Sequence, residues 1–352
     1  MDEVTPEWLT SALRGRWPEI TVRSVKNVSL GDGIGQMSEL SLLELDHEGA
    51  DAAPQSMVLK LHTAHPDMRA VAERYHMFER EVNFYQRFAD KVPLRTPDVY
   101  FSGLAGMDRC VFLMEDMSGW HSPDQLVGPT LAQTEIAVQH LAKLTAAFWD
   151  SDVLEAESDW LPDFNVDYMR AIAQDYRDCL PEFLSRYGSA LPEGADKAAH
   201  AIADRLDPLL DFLDTGPRVL THYDYRVENM FFSKQEPLDF CVIDWQLIIR
   251  SRPGWDLAYL LGTNLPVDFR RQHTKQLENQ YFEALAAGGV DAYARSDFDL
   301  DLARNMMAMT MTPVIGGANS DMSNPRNVDL FAAIGARSLT AVLDGHCLDL
   351  LP

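Results

Sequence analysis

Strand-like and helix-like periodicities occupy different parts of this chain, and that separation limits its folds more than any other feature. In the first third, apolar and polar residues alternate in "TVRSVKNVSL", "SLLELD" and "SMVLKLH", with Gly-, Asp- or Pro-containing breaks between them. Period-two runs bounded by such residues predict antiparallel strands. "PDVYFSG" and "RCVFLMED" are two further short strand candidates. Between 69 and 89 the period changes. Val71, Tyr75, Phe78, Val82 and Tyr85 recur at spacings of four and three, which predicts one amphipathic helix. Beyond about residue 130 helical patterns dominate, in "TEIAVQHLAKLTAAFW", "DKAAHAIADRLDPLLDFL" and "RRQHTKQLENQYFEALAAGG", the last stopped by glycine. Strands followed by helices predict an α+β architecture and disfavour a parallel βαβ sheet. The expected organisation is a small antiparallel β-rich N-lobe over residues 1–116 and a larger, mainly helical C-lobe over 117–352.

A chain of 352 residues exceeds what one core usually takes, which agrees with two lobes. No run approaches about eighteen consecutive apolar residues, so no membrane helix is expected. The start, "MDEVTPEWLTSALRGRWPE", lacks the basic and apolar regions of a signal peptide. It predicts a short helix instead, capped by Thr5, with Pro6 in the first turn and Glu7 favouring the dipole. Cys110, Cys179, Cys241 and Cys347 lie far apart with no C-x-x-C pair, which argues against zinc or redox use and fits a reducing cytoplasm. Thirty basic against 54 acidic residues give a net charge of −24. That balance disfavours nucleic acid and anionic membranes as partners, and no obligatory protein partner is evident. Any anion site must therefore be local.

The segment 218–250 interrupts the helical pattern. "THYDYRVENMFF" sets His222, Asp224 and Asn229 ahead of an apolar run, and fifteen residues after Asn229 Asp244 closes another, "FCVI". The two apolar runs predict a short hairpin that gathers two carboxylates and one amide oxygen. Oxygens from Asn229 and Asp244 suit magnesium, which takes hard oxygen ligands and keeps several waters. Asp224 is left as the group to orient and deprotonate a hydroxyl.

H-x-D-x-x-x-x-N followed by I-D-W resembles the pattern of the aminoglycoside phosphotransferase and choline kinase superfamily, small-molecule relatives of the protein kinases. "DYRVENMFF", "VIDWQ" and "WDLAYLLGTNLP" are most similar to its ecdysteroid-kinase-like group. The resemblance runs over roughly residues 25–265. It implies a two-lobed protein-kinase-like fold with ATP between the lobes, Mg2+ as a second cofactor, and transfer of the γ-phosphate to a hydroxyl of a small-molecule alcohol. It also implies Lys60 in "MVLKLH" as the ligand of the α- and β-phosphates and Glu81 in "EREVNFY" as its partner, with Glu79 as second choice. Gly31, Gly33 and Gly35 would form the loop over the phosphates. The Glu115 carbonyl and the Met117 amide would meet adenine. Asp224 would be the catalytic base, and Asn229 and Asp244 the magnesium ligands. Two departures stand out: Tyr223 sits where the family usually has glycine, and Leu144-Thr145 where relatives often carry Leu-His.

Two other readings use the same residues: a nucleotide-binding pseudokinase without turnover, and a nucleotidyl transferase on the same fold. His222 reads as a brace against backbone or against Asp244, and Asp256 as a brace for the catalytic loop. Arg226 reads equally as a phosphate or substrate contact and as a salt-bridged residue. Trp245 and the methionine-rich run at 306–311 read as core, with a substrate wall as the alternative; that run is expected to be a helix ending in a Gly-rich loop.

Overall fold

A computed structural model describes residues 4–30, 37–107 and 109–352. The chain divides into two compact units, Met1–Lys91 with Arg95–Trp120, and Val92–Leu94 with His121–Pro352.

The first unit begins with helix α1 (Pro6–Leu13), whose Thr5 cap accepts the Trp8 amide at 3.2 Å. Five strands follow in the order β1-β2-β3-β5-β4, every neighbouring pair antiparallel. They are β1 (Thr21–Ser29), β2 (Ser38–Glu48), β3 (Ser56–His62), β4 (Val99–Leu104) and β5 (Cys110–Glu115). Alternation does its expected work here. Leu43 and Leu45 of β2, Met57 and Leu59 of β3 and Leu113 of β5 bury one sheet face against Leu9 and Leu13 of α1. Burying each such side chain contributes about 1.5–3 kcal/mol.

The single helix expected over 69–89 is two, α2 (Pro66–Arg74) and α3 (Met77–Arg87). His76 between them takes a left-handed φ of 52°. The break is held by side chains: the buried Arg80 guanidinium donates to the Tyr75 carbonyl, and Glu79 lies 3.1 Å from His76 Nδ1. The apolar stripe continues across this break.

The second unit is mainly helical. Its longest helices are Leu131–Ala147, Ile172–Tyr187, Val267–Ala287, Arg295–Ala308 and Pro325–Asp344. Thr130 and Gln133 close a capping box at the start of the first of these. Two short antiparallel pairs lie within the helical unit: β6 (Val219–Thr221) with β9 (Ile249–Ser251), and β7 (Met230–Phe232) with β8 (Phe240–Val242). No described helix is long and apolar enough to cross a membrane.

"DKAAHAIADRLDPLLDFL" is helical as expected, as two helices, Ala195–Asp204 and Leu206–Leu213. One expectation needs correction here. The methionine-rich run does not end in a Gly-rich loop; Gly316 and Gly317 lie inside the helix Met311–Asn319. Their lack of a side chain is a packing requirement. A Cβ on Gly317 would sit 3.0 Å from the rings of both Phe183 and Tyr187, and one on Gly316 2.6 Å from Phe331. Met307, Met309 and Met311 are buried.

Candidate active site

In the first unit, Lys60 lies on β3 between Leu40 of β2 and Phe112 of β5. Its Nζ is 2.7 Å from Glu81 Oε1, and the two side chains are only 9% and 0% exposed. Helix α3 supplies Glu81 from its buried face, beside Phe78, Val82 and Phe84. A buried ion pair is weak evidence for stability, because desolvation offsets most of the attraction. Its cost makes it notable at a site. Glu79 meets His76 instead and stays partly exposed, so the geometry selects Glu81. Glu115 ends β5 with its carboxylate 2.6 Å from the Arg95 guanidinium, and Met117 follows, buried, with Sδ 3.6 Å from Arg95. Gly31, Gly33 and Gly35 lie outside the described residues.

In the second unit the expected hairpin is present. β7 and β8 pair in the register Met230↔Val242 and Phe232↔Phe240. Beyond the last pair, the Ile243 amide donates to the Asn229 carbonyl at 2.9 Å. Asn229 and Asp244 therefore flank the open end of the hairpin. Asn229 closes a 3-10 turn (Val227–Asn229) that follows Asp224 by a few residues. Its Nδ2 donates to the Asp224 carbonyl at 3.0 Å and to Asp224 Oδ2 at 3.1 Å. With the nitrogen so used, Oδ1 is the amide atom suited to a cation. Asp244 holds a left-handed φ of 65°. A non-glycine residue there costs about 1–2 kcal/mol, and such strain clusters at functional positions. One amide oxygen and one carboxylate make a hard, all-oxygen donor pair that fits magnesium. Among the described residues no cluster of three or more His, Cys, Asp or Glu could hold a metal. A two-ligand magnesium site is compatible with that.

Asp224 is held from several sides. Tyr259 donates its hydroxyl to Oδ1 at 2.9 Å, and Arg226 Nε lies 3.4 Å from Oδ2. Burial, with the neighbouring carboxylate, pushes the Tyr259 phenol well above its usual pKa, so it remains a donor. The Asp224 carboxylate raises the Arg226 guanidinium further.

Three further groups shape the loop that carries Asp224. His222 is fully buried with Nε2 3.0 Å from the Ile243 carbonyl, and burial lowers its pKa. It braces against backbone, linking the strand ahead of Asp224 to the residue ahead of Asp244. Asp256 accepts the amides of His222 at 2.7 Å and Tyr223 at 2.8 Å, as its place in the sequence suggests. Trp245 is wholly buried, edge-on to His222 at 4.7 Å, and is a core residue.

Burial pushes the Asp256 carboxyl up from 3.8 to about 7, against the two amides, which favour its charge. Between those values the folded protein binds a proton that the unfolded chain releases. The stability from this residue is therefore full below about pH 4 and is lost as pH rises through about 7. Asp256→Asn should flatten that part of the stability–pH curve, measured by urea unfolding at several pH values. An unchanged curve would show that Asp256 is already ionised in the folded state at low pH.

Tyr223 takes the left-handed φ of 74° that glycine usually provides. Its ring stacks on Trp255 at 4.4 Å and 14°, and its carbonyl accepts the Trp255 indole N–H at 2.9 Å. The stack and this bond hold the left-handed backbone shape at Tyr223. Tyr223→Gly removes about 1–2 kcal/mol of strain. It also loses a buried ring, worth more. We expect a net loss of about 1–2 kcal/mol by denaturant unfolding; a stabilised variant would mean that the stack contributes little.

The arrangement resembles solved enzymes in fold. Wild-type aminoglycoside 2'-phosphotransferase-IIIa in its GDP complex is similar with a TM-score of 0.55 and 15% identity, over 96% of this chain and 99% of that one. A spectinomycin phosphotransferase in complex with ADP and spectinomycin has a TM-score of 0.56 and 12% identity, over 98% and 99%. The choline kinase LicA from Streptococcus pneumoniae gives 0.51 and 12%, over 96% and 97%. The fold is thus the α+β, two-lobed, protein-kinase-like one, with an antiparallel β-rich N-lobe and a larger, mainly helical C-lobe. Within it, the ecdysteroid kinase-like family model matches residues 36–289, and the chain belongs to that family. No curated protein matches it in sequence.

Two residues of this neighbourhood carry no role in the sequence reading: Tyr259 and Asn264. Asn264 Oδ1 accepts the Val227 amide of the turn after Asp224 at 2.9 Å. Both lie in "WDLAYLLGTNLP", and the signal was their polarity within an apolar run that follows Asp256.

Proposed function

We propose that the protein is an ATP-dependent phosphotransferase that moves the γ-phosphate to a hydroxyl of a small molecule. The observation that carries this reading is the Asp224 carboxylate, held by Asn229 and Tyr259, on the loop whose hairpin also presents Asp244. Asp224 orients the acceptor hydroxyl and takes its proton as the oxygen attacks phosphorus. The β–γ bridging P–O bond breaks, and its electrons leave with ADP. Asn229 and Asp244 would hold Mg2+, which supplies neutralisation of phosphate charge. Lys60, oriented by Glu81, contacts the α- and β-phosphates, and the Glu115 carbonyl and Met117 amide meet adenine. Catalysis of this type is mainly positioning and electrostatics. Local cationic groups of this kind let a chain of net charge −24 accept a polyanion.

Membership of the ecdysteroid kinase-like family makes a lipophilic polycyclic alcohol the first acceptor class to test. The solved relatives bound to spectinomycin, GDP and ADP add aminoglycosides as acceptors and GTP as a donor. A panel of steroid alcohols, choline and aminoglycosides, with γ-labelled ATP or GTP and magnesium, should yield one product heavier by a phosphoryl group. An adenylyl increment, or no labelled product with any acceptor, would overturn the proposal.

A further inference from the structure

We propose that Tyr259 is a positioning residue for the reaction, one that fixes Oδ1 of Asp224 so that its second lone pair meets the acceptor hydroxyl. This deepens the reading above and rests on Asp224 acting there. A carboxylate offers about four lone-pair directions, two on each oxygen. Oδ2 accepts Asn229 Nδ2 at 3.1 Å, and Arg226 lies beside it as an ion pair without a hydrogen bond. Oδ1 takes the Tyr259 hydroxyl at 2.9 Å. The acceptor is directed to the remaining lone pair of Oδ1.

The backbone around Tyr259 is built to hold that bond. Tyr259 ends the helix Trp255–Tyr259, and the next residues, Leu260–Asn264, form a π-turn. Such turns recur at functional sites because widening frees backbone groups for other partners. Here the Tyr259 carbonyl gains two side-chain donors. It accepts Thr263 Oγ1 at 2.7 Å and Asn264 Nδ2 at 3.2 Å. The oxygen of the same Asn264 amide takes the Val227 N–H. One side chain thus ties the Tyr259 backbone to the turn that follows Asp224, and fixes phenol and carboxylate relative to each other. The widened turn is anchored from behind by Arg337 of helix Pro325–Asp344. Its guanidinium donates to the carbonyls of Gln125, Leu126, Thr263 and Asn264. The tyrosine ring is buried, so its hydroxyl reports on this contact rather than on solvent.

Tyr259→Phe removes only the hydroxyl. The first readout needs no turnover. In protein labelled at the aspartate side-chain carbons, the Asp224 Cγ resonance is assigned by its loss in Asp224→Ala and compared with Tyr259→Phe at pH 8. We expect it to shift. The second readout is ADP release from magnesium–ATP with water as acceptor. Tyr259→Phe should lower kcat by ~10–100-fold, with the Kd for ATP and the Tm nearly unchanged. In the Asp224→Ala background it should add almost nothing, because the two residues act as a unit. An unmoved Cγ signal overturns the proposal, as does an unchanged kcat or an additive double variant. A kcat loss that merely tracks a fallen Tm does the same. If Asp224→Ala itself leaves ADP release intact, the role of Asp224 fails. If only Tyr259→Phe is silent, that role stands and the positioning fails.

Discussion

Asp224→Ala should lower turnover by about 10²–10⁴-fold, the usual contribution of a positioned general base, and leave ATP affinity within about twofold. The asymmetry follows from its contacts. Asp224 meets Tyr259, Asn229 and Arg226, and no phosphate ligand is assigned to it. In the proposed mechanism phosphate is met instead by Lys60 and by magnesium that Asn229 and Asp244 would hold. Isothermal titration with ATP, beside steady-state kinetics on the acceptor found by the panel, separates the two effects. Turnover near wild type would remove Asp224 from the role of base. A large loss of ATP affinity would move it into the nucleotide site.

Glu81→Ala should destabilise the protein by about 3–5 kcal/mol, because it takes the carboxylate away from a buried ammonium. Lys60 lies 2.7 Å from Glu81 with almost no exposed surface, so water cannot readily replace the lost partner. The double variant Lys60→Met with Glu81→Leu should recover most of that stability, since apolar replacements of buried ion pairs are often neutral. It should not recover nucleotide binding. Urea unfolding and ATP titration on all three proteins test both halves. A double variant that folds well and binds ATP like wild type would leave the pair with a structural role alone.

The sequence made the sheet legible because β2 and β3 bury one face, which enforces a period of two. The Asn229–Asp244 hairpin was legible for a related reason: two short apolar runs bounded by polar residues have few other ways to pair. Glu81 ranked ahead of Glu79 only by its place at the margin of an apolar stripe, and the break at His76, which engages Glu79, supplies the physical reason. That break was itself hidden, because the stripe passes across it. Gly316 and Gly317 misled for a different cause. Their partners Phe183, Tyr187 and Phe331 are distant in sequence, so a requirement of helix packing reads locally as a loop. Tyr259, a polar residue in the apolar run "DLAYLL", drew no role from the sequence. Its hydroxyl matters only through Asp224, which lies 35 residues earlier.

Arg337 gives the last long helix a reach beyond its own packing. The family match stops at residue 289, yet this guanidinium, from outside it, pins the turn that carries Tyr259 and Asn264. The geometry around Asp224 in the family-matched portion thereby depends on a helix that lies beyond that match. A shortened polypeptide that keeps every motif residue would still lack the rivet that holds them in register. The boundary of the unit that holds Asp224 is drawn by four carbonyl oxygens rather than by the recognisable pattern.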